Sequence, residues 1–312
     1  MAGIAISAIT LGAVIWWASR QPAPRFPTGA TEIGALGGAL AAYLLAMALR
    51  GERWLRLLVS DGAQPTRSDA YGLTLVGYMG NNVLPARGGD AMRVYLAAPR
   101  ARTGYRDVIG TLVAERLLDA VVLLSAFVLL AYGVLRGIDA PDGEGALVVA
   151  GVAAAAAVGT AIAVYAARDH PRVRSLIGFA APMARSTIRL RSRHGVAMVG
   201  LTVVIWIFEA TTYLGAGAAA GLDMNPVEAL YVVALASVFV LIPSGPGYLG
   251  TLDAAILFGA EAIGATGSEA VSFLLLVRFV LLVPVTIAGL LLLLARYGGL
   301  RAAGRDLEVG RA

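Results

Sequence analysis

The chain has 312 residues, of which 58% are hydrophobic and only 14% are charged. Soluble globular domains carry roughly 25% charged residues, so this composition argues against an ordinary water-soluble protein and predicts one whose solvent is lipid. The net charge is +5, and every basic residue other than His is Arg, because the sequence contains no Lys. These Arg residues lie mainly in short loops between apolar runs, which is typical of loops beside anionic lipid and does not indicate nucleic-acid binding. The absence of Cys excludes disulfides and Cys-ligated metals, and we expect no cofactor and no metal site.

The apolar runs predict an all-α, polytopic membrane helix bundle with about six full spans. These runs cover residues 3–19, 32–50, 107–133, 145–167, 195–221 and 269–296. The first run lacks a basic region before it and a small-residue cleavage site after it, so we interpret it as a retained helix rather than a signal peptide. We predict one transmembrane domain over residues 1–300, followed by a short cytoplasmic tail at 301–312.

Two further apolar stretches, residues 68–98 and 226–266, are interrupted by Pro and Gly. A continuous helix does not pass through such a cluster, because Pro lacks the amide hydrogen and clashes with the preceding turn. Backbone left unpaired at membrane depth must be satisfied by protein or by a water-filled cavity. Both stretches are therefore predicted to be re-entrant or broken helix hairpins.

The distribution of Arg predicts the orientation of the chain. Residues 50–67, 100–106 and 168–193 are rich in Arg, whereas the segments near residues 139–144 and 223–228 are not. Arg-rich loops favour the cytoplasm, which places both termini in the cytoplasm, lets the first hairpin enter from inside and the second from outside, and indicates an integral plasma-membrane protein. Opposed broken hairpins are typical of secondary transporters with a site near the midplane.

Arg residues also lie at irregular spacing among apolar residues over residues 170–194. This pattern predicts an amphipathic helix on anionic headgroups, with a solvated loop as the alternative.

The first broken hairpin carries a polar cluster at its break, formed by Asn81, Asn82, Arg87, Asp90 and Arg93. Free backbone amides beside two guanidiniums would suit a phosphate oxygen. The alternative is an ordinary polar loop in which Arg87 and Asp90 pair with each other.

A second cluster contains Glu115, Arg116 and Asp119 near the start of an apolar helix. The two carboxylates are four residues apart and so share a helix face. The alternative is an interfacial turn whose charged side chains extend to water.

The third cluster is the Gly- and Pro-rich break of the second hairpin, which includes Ser244, Gly247 and Asp253. Exposed amides facing the start of a helix predict an anion site, with a rigid bend that binds nothing as the alternative.

Two isolated charges lie inside apolar runs. An unpaired Arg278 there would cost several kcal/mol, so it needs a partner, and the candidates are Asp253, Glu209 or an anionic ligand. Glu209 is a candidate for proton coupling, although a structural pair with Arg278 is the simpler interpretation.

In this order, the clusters resemble the lysylphosphatidylglycerol synthase transmembrane-region family of flippase-like membrane proteins. The matching residues are Asn82 to Arg93, Glu115 with Arg116 and Asp119, Pro243 to Asp253, and Arg278 followed by Pro284. The resemblance extends from about Arg50 onward. Asp90 and Asp253 stand where the family usually has Glu, and Tyr248 where a second Gly is common.

The resemblance implies a function in handling membrane lipids. Members include the membrane half of the multiple peptide resistance factor, which moves aminoacylated phosphatidylglycerol between leaflets, and others act in dolichol-linked or hopanoid lipid pathways. The implied substrate is a polar lipid with an anionic or zwitterionic head, and the implied polar centre comprises Arg87, Asp90, Arg93, Glu115, Arg116, Asp119, Asp253 and Arg278.

We therefore predict a lipid flippase-like transporter whose partners are membrane lipids. The main alternative is a non-transporting partner that presents lipid to a glycosyltransferase or acyltransferase. A membrane-embedded enzyme is the third interpretation, disfavoured because two candidate carboxylates lie beside Arg, which favours their charged form. Only a short tail follows Arg296, so we expect no aminoacyl transfer.

Overall fold

The computed structural model describes residues 2–133, 193–240 and 244–298, and within these ranges the regular secondary structure is entirely helical. The helices are α1 (Ala2–Ala18), α2 (Ala30–Ser60), α3 (Arg67–Val83), α4 (Gly88–Arg100), α5 (Tyr105–Gly133), α6 (Arg193–Ala220), α7 (Pro226–Phe239), α8 (Thr251–Ala262) and α9 (Gly267–Arg296). The all-α prediction is confirmed for this part of the chain. The predicted span at 145–167, the acidic loop near residue 140, residues 170–192 of the predicted surface helix and the tail at 301–312 lie outside the described residues.

Within the described ranges, three helices are long and apolar enough to cross a membrane, namely Ala30–Ser60, Gly195–Ala220 and Gly267–Arg296. They correspond to three of the predicted runs, while α1 and α5 occupy the runs predicted at 3–19 and 107–133. Large apolar side chains on the outer faces, such as Ile207, Leu291 and Leu294, are exposed. Such a surface suits lipid rather than water.

Helix α2 continues ten residues beyond its predicted end at residue 50, which corrects the expectation of a loop there. Trp54, Leu57 and Leu58 carry the apolar face onward and are buried. Arg50 and Arg53 consequently lie inside the bundle with 5% and 1% exposure. The sequence interpretation ended the helix at the charges, whereas the apolar period continues through them.

Helices α3 and α4 form a hairpin around a break at residues 84–87, where a short 3-10 turn covers Pro85–Arg87. The open ends of the hairpin meet, because the amide of Gln64 donates to the carbonyl of Ala101 at 2.8 Å. The two helices approach closely along Gly77, Gly80 and Gly89, where there is no room for a side chain. Small residues of this kind let helix backbones come together.

Helices α7 and α8 form a second hairpin, and the described part of its break, residues 244–250, contains a 3-10 turn at Pro246–Tyr248. Gly259 of α8 packs against Val232 of α7, so that a methyl group at Gly259 would lie 2.9 Å from that side chain. Asn225 begins α7 by accepting hydrogen bonds from the amides of Val227 and Glu228. This cap favours a helix start at Pro226.

Helix α9 connects the two hairpins. Its first turn directly follows α8, whereas Arg296 at its last turn donates to Ser68 at the start of α3 at 2.7 Å. The hairpins therefore approach from opposite ends of α9, and their breaks meet beside its middle. Two buried apolar clusters lie on either side, one around Phe273 and Val277 and the other around Leu293 and Tyr297.

Candidate functional site

The two helix breaks contact each other at a junction, defined here as residues 82–87 with 244–250. Gly247 has a φ of 60°, and a methyl group there would lie 3.3 Å from the carbonyl oxygen of Asn82. The side-chain amide of Asn82 donates a hydrogen bond to the hydroxyl of Thr286 in α9 at 3.0 Å. Asn82 and Gly247, which lie far apart in the sequence, are thus brought together against α9.

Arg87 joins the first break to the second. It has a left-handed φ of 56°, which non-glycine residues seldom adopt and which often marks a functional position. Its guanidinium donates to the carbonyl of Val240 at 2.8 Å and lies 5.9 Å from the ring of Tyr248. No carboxylate pairs with Arg87 within the described residues.

Arg278 closes the second break. Its Nε donates to Asp253 at 2.5 Å, and its terminal nitrogens donate to the carbonyls of Gly247 and Tyr248. Asp253 also accepts the amide of Gly250 at 2.7 Å, so one carboxylate holds both the arginine and the start of α8. Asp253 is one of the three partners predicted for Arg278. The buried hydroxyl oxygen of Ser244, at the edge of the same break, has no hydrogen-bond partner among the described residues.

Arg116 of α5 pairs with Asp90 of α4 at 3.3 Å beside the first break. The alternative in which Asp90 pairs with Arg87 is wrong, because the two side chains bind different groups. Asp90 is also bound by Asn81, a member of the first polar cluster that was not among the predicted substrate-binding residues.

The remaining predicted residues form a separate ion-pair cluster deep in the bundle. Arg53 donates to both oxygens of Asp119, at 2.6 and 3.1 Å. Glu115 lies 3.0 Å from Arg93 and 3.8 Å from Arg53, and Arg93 stacks 4.0 Å from the ring centre of Trp54. Asp119 has 9% exposure and the other three charged residues have less. The alternative of an interfacial turn reaching water is therefore wrong for Glu115 and Asp119.

Glu209 of α6 pairs with Arg50 of α2 at 2.7 Å. The predicted structural pair of Glu209 with Arg278 is wrong, because Arg278 lies with Asp253 at the second break. Thr202 and Trp206 of α6 complete the ion-pair cluster by contacting Arg53 and Asp119. Sequence reasoning missed Arg50 and Arg53, although their spacing of three on a continuing apolar helix was the available signal.

The charges inside the described part of the bundle do not balance. Six guanidiniums face five carboxylates, and Arg87 is the guanidinium without an ionic partner. The paired residues are Arg50, Arg53, Arg93, Arg116 and Arg278 with Asp90, Glu115, Asp119, Glu209 and Asp253. The junction therefore carries an excess positive charge in an apolar protein, which suits an anionic ligand.

The helices and the charged junction define an integral membrane protein with a polar interior. The chain matches the model of the family described as "Lysylphosphatidylglycerol synthase TM region" over residues 1–289. It therefore belongs to this family, and the match begins well before residue 50, where the resemblance was first apparent.

One similar protein is the glycosyltransferase AglD of Haloferax volcanii, which is 26% identical over 268 residues. The alignment covers 73% of this chain and 43% of AglD. The chain thus spans less than half the length of this curated relative.

Proposed function

We propose that the protein moves a polar lipid with an anionic or zwitterionic, phosphate-bearing head between the leaflets of its membrane. The observation that carries this proposal is the position of Arg87, which lies at the meeting point of two helix breaks and has no ionic partner among the described residues. A charged head that crosses hydrocarbon unaided faces a large desolvation cost, and a fixed opposite charge offsets part of it.

We further propose that both hairpins are re-entrant and that about six other helices span the membrane. Helices α3 and α4 have 17 and 13 residues, and α7 and α8 have 14 and 12. At 1.5 Å per residue these lengths are about 18–26 Å, less than the roughly 30 Å of hydrocarbon that a full span must cross. Each hairpin would place its break in the interior of the membrane and return to the membrane surface from which it entered.

The geometry divides the predicted site residues into two groups with different roles. Arg87 and Arg116 would bind the phosphate, with Asp90 balancing Arg116 and Asn82 shaping the junction. Ser244, Gly247, Asp253 and Arg278 would form the opposing wall. Arg93, Glu115, Asp119 and Glu209 would hold the helices together, because their charges are already paired inside the protein.

Lipid translocation by purified protein tests this proposal. Fluorescent phosphatidylglycerol and a polyprenyl phosphate would each be placed in phosphatidylcholine proteoliposomes, and the initial rate of transfer between leaflets would be measured. We expect Arg87→Gln to lower the rate at least about tenfold, because a charge-assisted hydrogen bond contributes roughly 1.5–3 kcal/mol. Arg56→Gln is the matched control, since Arg56 is an exposed arginine of α2. Equal rates for both variants and the wild type would exclude Arg87 from the site.

The relative AglD favours a second candidate function. Its name describes a glycosyltransferase, and the alignment covers 43% of its length. We propose that the shared part presents a lipid to a transferase. On this proposal the junction binds the lipid head without moving it, and the partner is a lipid-modifying enzyme. Binding of phosphatidylglycerol without translocation by the purified wild type would favour this candidate. On either proposal the chain itself is not an enzyme.

A further inference from the structure

The pair of Arg116 and Asp90 differs from the other ion pairs inside the bundle. Its side chains are 39% and 24% exposed, whereas no side chain in the other internal pairs exceeds 12%. The nitrogen and oxygen are 3.3 Å apart, compared with 2.5–3.0 Å for the shortest contacts of Arg50, Arg53, Arg93 and Arg278. Charge-assisted hydrogen bonds are usually 2.7–2.9 Å long. Arg116 is therefore loosely held.

Asp90 is also bound from the other side of the first break, by two hydrogen bonds with Asn81. The amide nitrogen of Asn81 donates to Oδ1 of Asp90 at 3.2 Å, and the backbone amide of Asp90 donates to the side-chain oxygen of Asn81 at 3.2 Å. That backbone amide lies in the first turn of α4, where it has no acceptor within the helix. Asn81 is 6% exposed, and a methyl group at Gly89 would lie 2.8 Å from its oxygen. The absence of a side chain at Gly89 is what lets Asn81 reach Asp90.

This restraint affects how Arg116 binds its carboxylate. A single nitrogen of Arg116 contacts both oxygens of Asp90, at 3.3 and 3.4 Å, so the two parallel hydrogen bonds of a forked pair do not form. Because Asn81 occupies Oδ1, Asp90 is not free to turn fully toward the guanidinium. A partly exposed guanidinium with a poorly aligned partner is available for exchange.

We propose that Asn81 is a positioning residue that restrains Asp90 so that Arg116 can exchange this carboxylate for the phosphate of a lipid head. The inference rests on the proposed function only in requiring that the junction binds phosphate. In the empty site Arg116 remains paired, and in the loaded site Asp90 stays in place on Asn81. Without Asn81, Asp90 aligns with Arg116 and competes better with the phosphate.

A double-mutant cycle in lipid binding tests this role. The dissociation constants of short-chain phosphatidylglycerol and of a short-chain prenyl phosphate would be measured on purified protein by calorimetry. We expect Asn81→Leu to raise the dissociation constant about tenfold, within the range of coupling between neighbouring residues. In an Asp90→Asn background the same change should have less than about a twofold effect, because the competing carboxylate is absent.

Thr74→Val is the matched control, since Thr74 is a buried polar residue of α3 whose hydroxyl, within the described ranges, bonds only to the carbonyl of Ala70 in its own helix. Asn81→Ser, which retains an acceptor for the amide of Asp90, replaces Asn81→Leu if the latter does not fold. If Asn81→Leu weakens lipid binding equally in the wild-type and Asp90→Asn backgrounds, the role of Asn81 is purely structural and the inference is overturned. The inference is also overturned if the wild type binds neither of the two phosphate lipids. If the wild type binds lipid but translocates none, the transport proposal fails, while the cycle still decides the role of Asn81.

Discussion

At the scale of single residues, Arg53 illustrates how this protein accommodates charge away from water. Its side chain is 2% exposed and contacts Asp119, Glu115 and Thr202, which belong to two other helices. A buried ion pair is not necessarily better than an apolar contact, but removal of one partner leaves the other buried and unpaired. The ion-pair cluster should therefore be sensitive to single substitutions.

We expect Arg53→Met to destabilise the protein by about 3–5 kcal/mol, because Asp119 would lose its guanidinium inside the bundle. Arg56→Met, one turn further along α2, removes an exposed charge and should change stability by less than about 1 kcal/mol. Unfolding in detergent, followed by tryptophan fluorescence, measures both variants. Similar unfolding midpoints for the two variants would contradict a structural role for the ion-pair cluster.

At the scale of secondary-structure elements, the α3–α4 hairpin depends on glycine for contact rather than for backbone freedom. A methyl group at Gly89 would collide with the carbonyl of Gly77 and with Asn81, and one at Gly77 would collide with the side chain of Arg93. These positions let α4 lie against α3 while Arg93 extends past it toward Glu115. The hairpin and the ion-pair cluster are therefore coupled through packing.

We expect Gly89→Ala to destabilise the protein by roughly 1–3 kcal/mol, because the contacted atoms include backbone that is not free to move aside. Gly200→Ala on α6 is the control, since nothing lies within 4 Å of the added methyl group, and it should be neutral or stabilising by roughly 0.5–1 kcal/mol. Thermal unfolding of the purified variants compares them. A destabilised Gly200→Ala together with an unaffected Gly89→Ala would contradict the close approach of α3 and α4.

At the scale of the whole molecule, arginine is concentrated at one end of the described helix bundle, although Arg25 lies at the other end, where its backbone amide donates to Ser272 near the start of α9. Arg67, Arg102 and Arg106 lie at the end where α3 begins and α5 starts, together with the last turn of α9. Asp223 lies at the opposite end, where α6 leads into α7. Because the hairpins open toward these two ends, we propose that their openings lie on opposite sides of the membrane, with the arginine-rich end in the cytoplasm.

Single-cysteine labelling tests this orientation cleanly, because the chain contains no Cys. Asp223→Cys should react with a membrane-impermeant maleimide in intact cells, whereas Arg102→Cys should react only after the membrane is permeabilised. Both positions are exposed, so poor access within the protein would not explain a difference. Labelling of both from the same side would exclude the opposed arrangement.

The sequence by itself determined the helical class, three of the candidate spans and the positions of both helix breaks. These features depend on local properties, namely the length of apolar runs and the effect of Pro and Gly on neighbouring hydrogen bonds. It also placed Asn82, Arg87 and Asp90 around the first break and identified Arg278 as a charge in an apolar run that needs a partner.

Only the tertiary structure decided which charges pair. Arg50 lies with Glu209, 159 positions away in the sequence, and Asn81 reaches across a break to Asp90. Such pairs depend on how helices from distant parts of the chain are rotated and packed against one another, and the sequence pattern within each helix does not specify this. The difference between the paired charges of the interior and Arg87, which has no ionic partner in the described part of the chain, therefore emerges only when the helices are assembled.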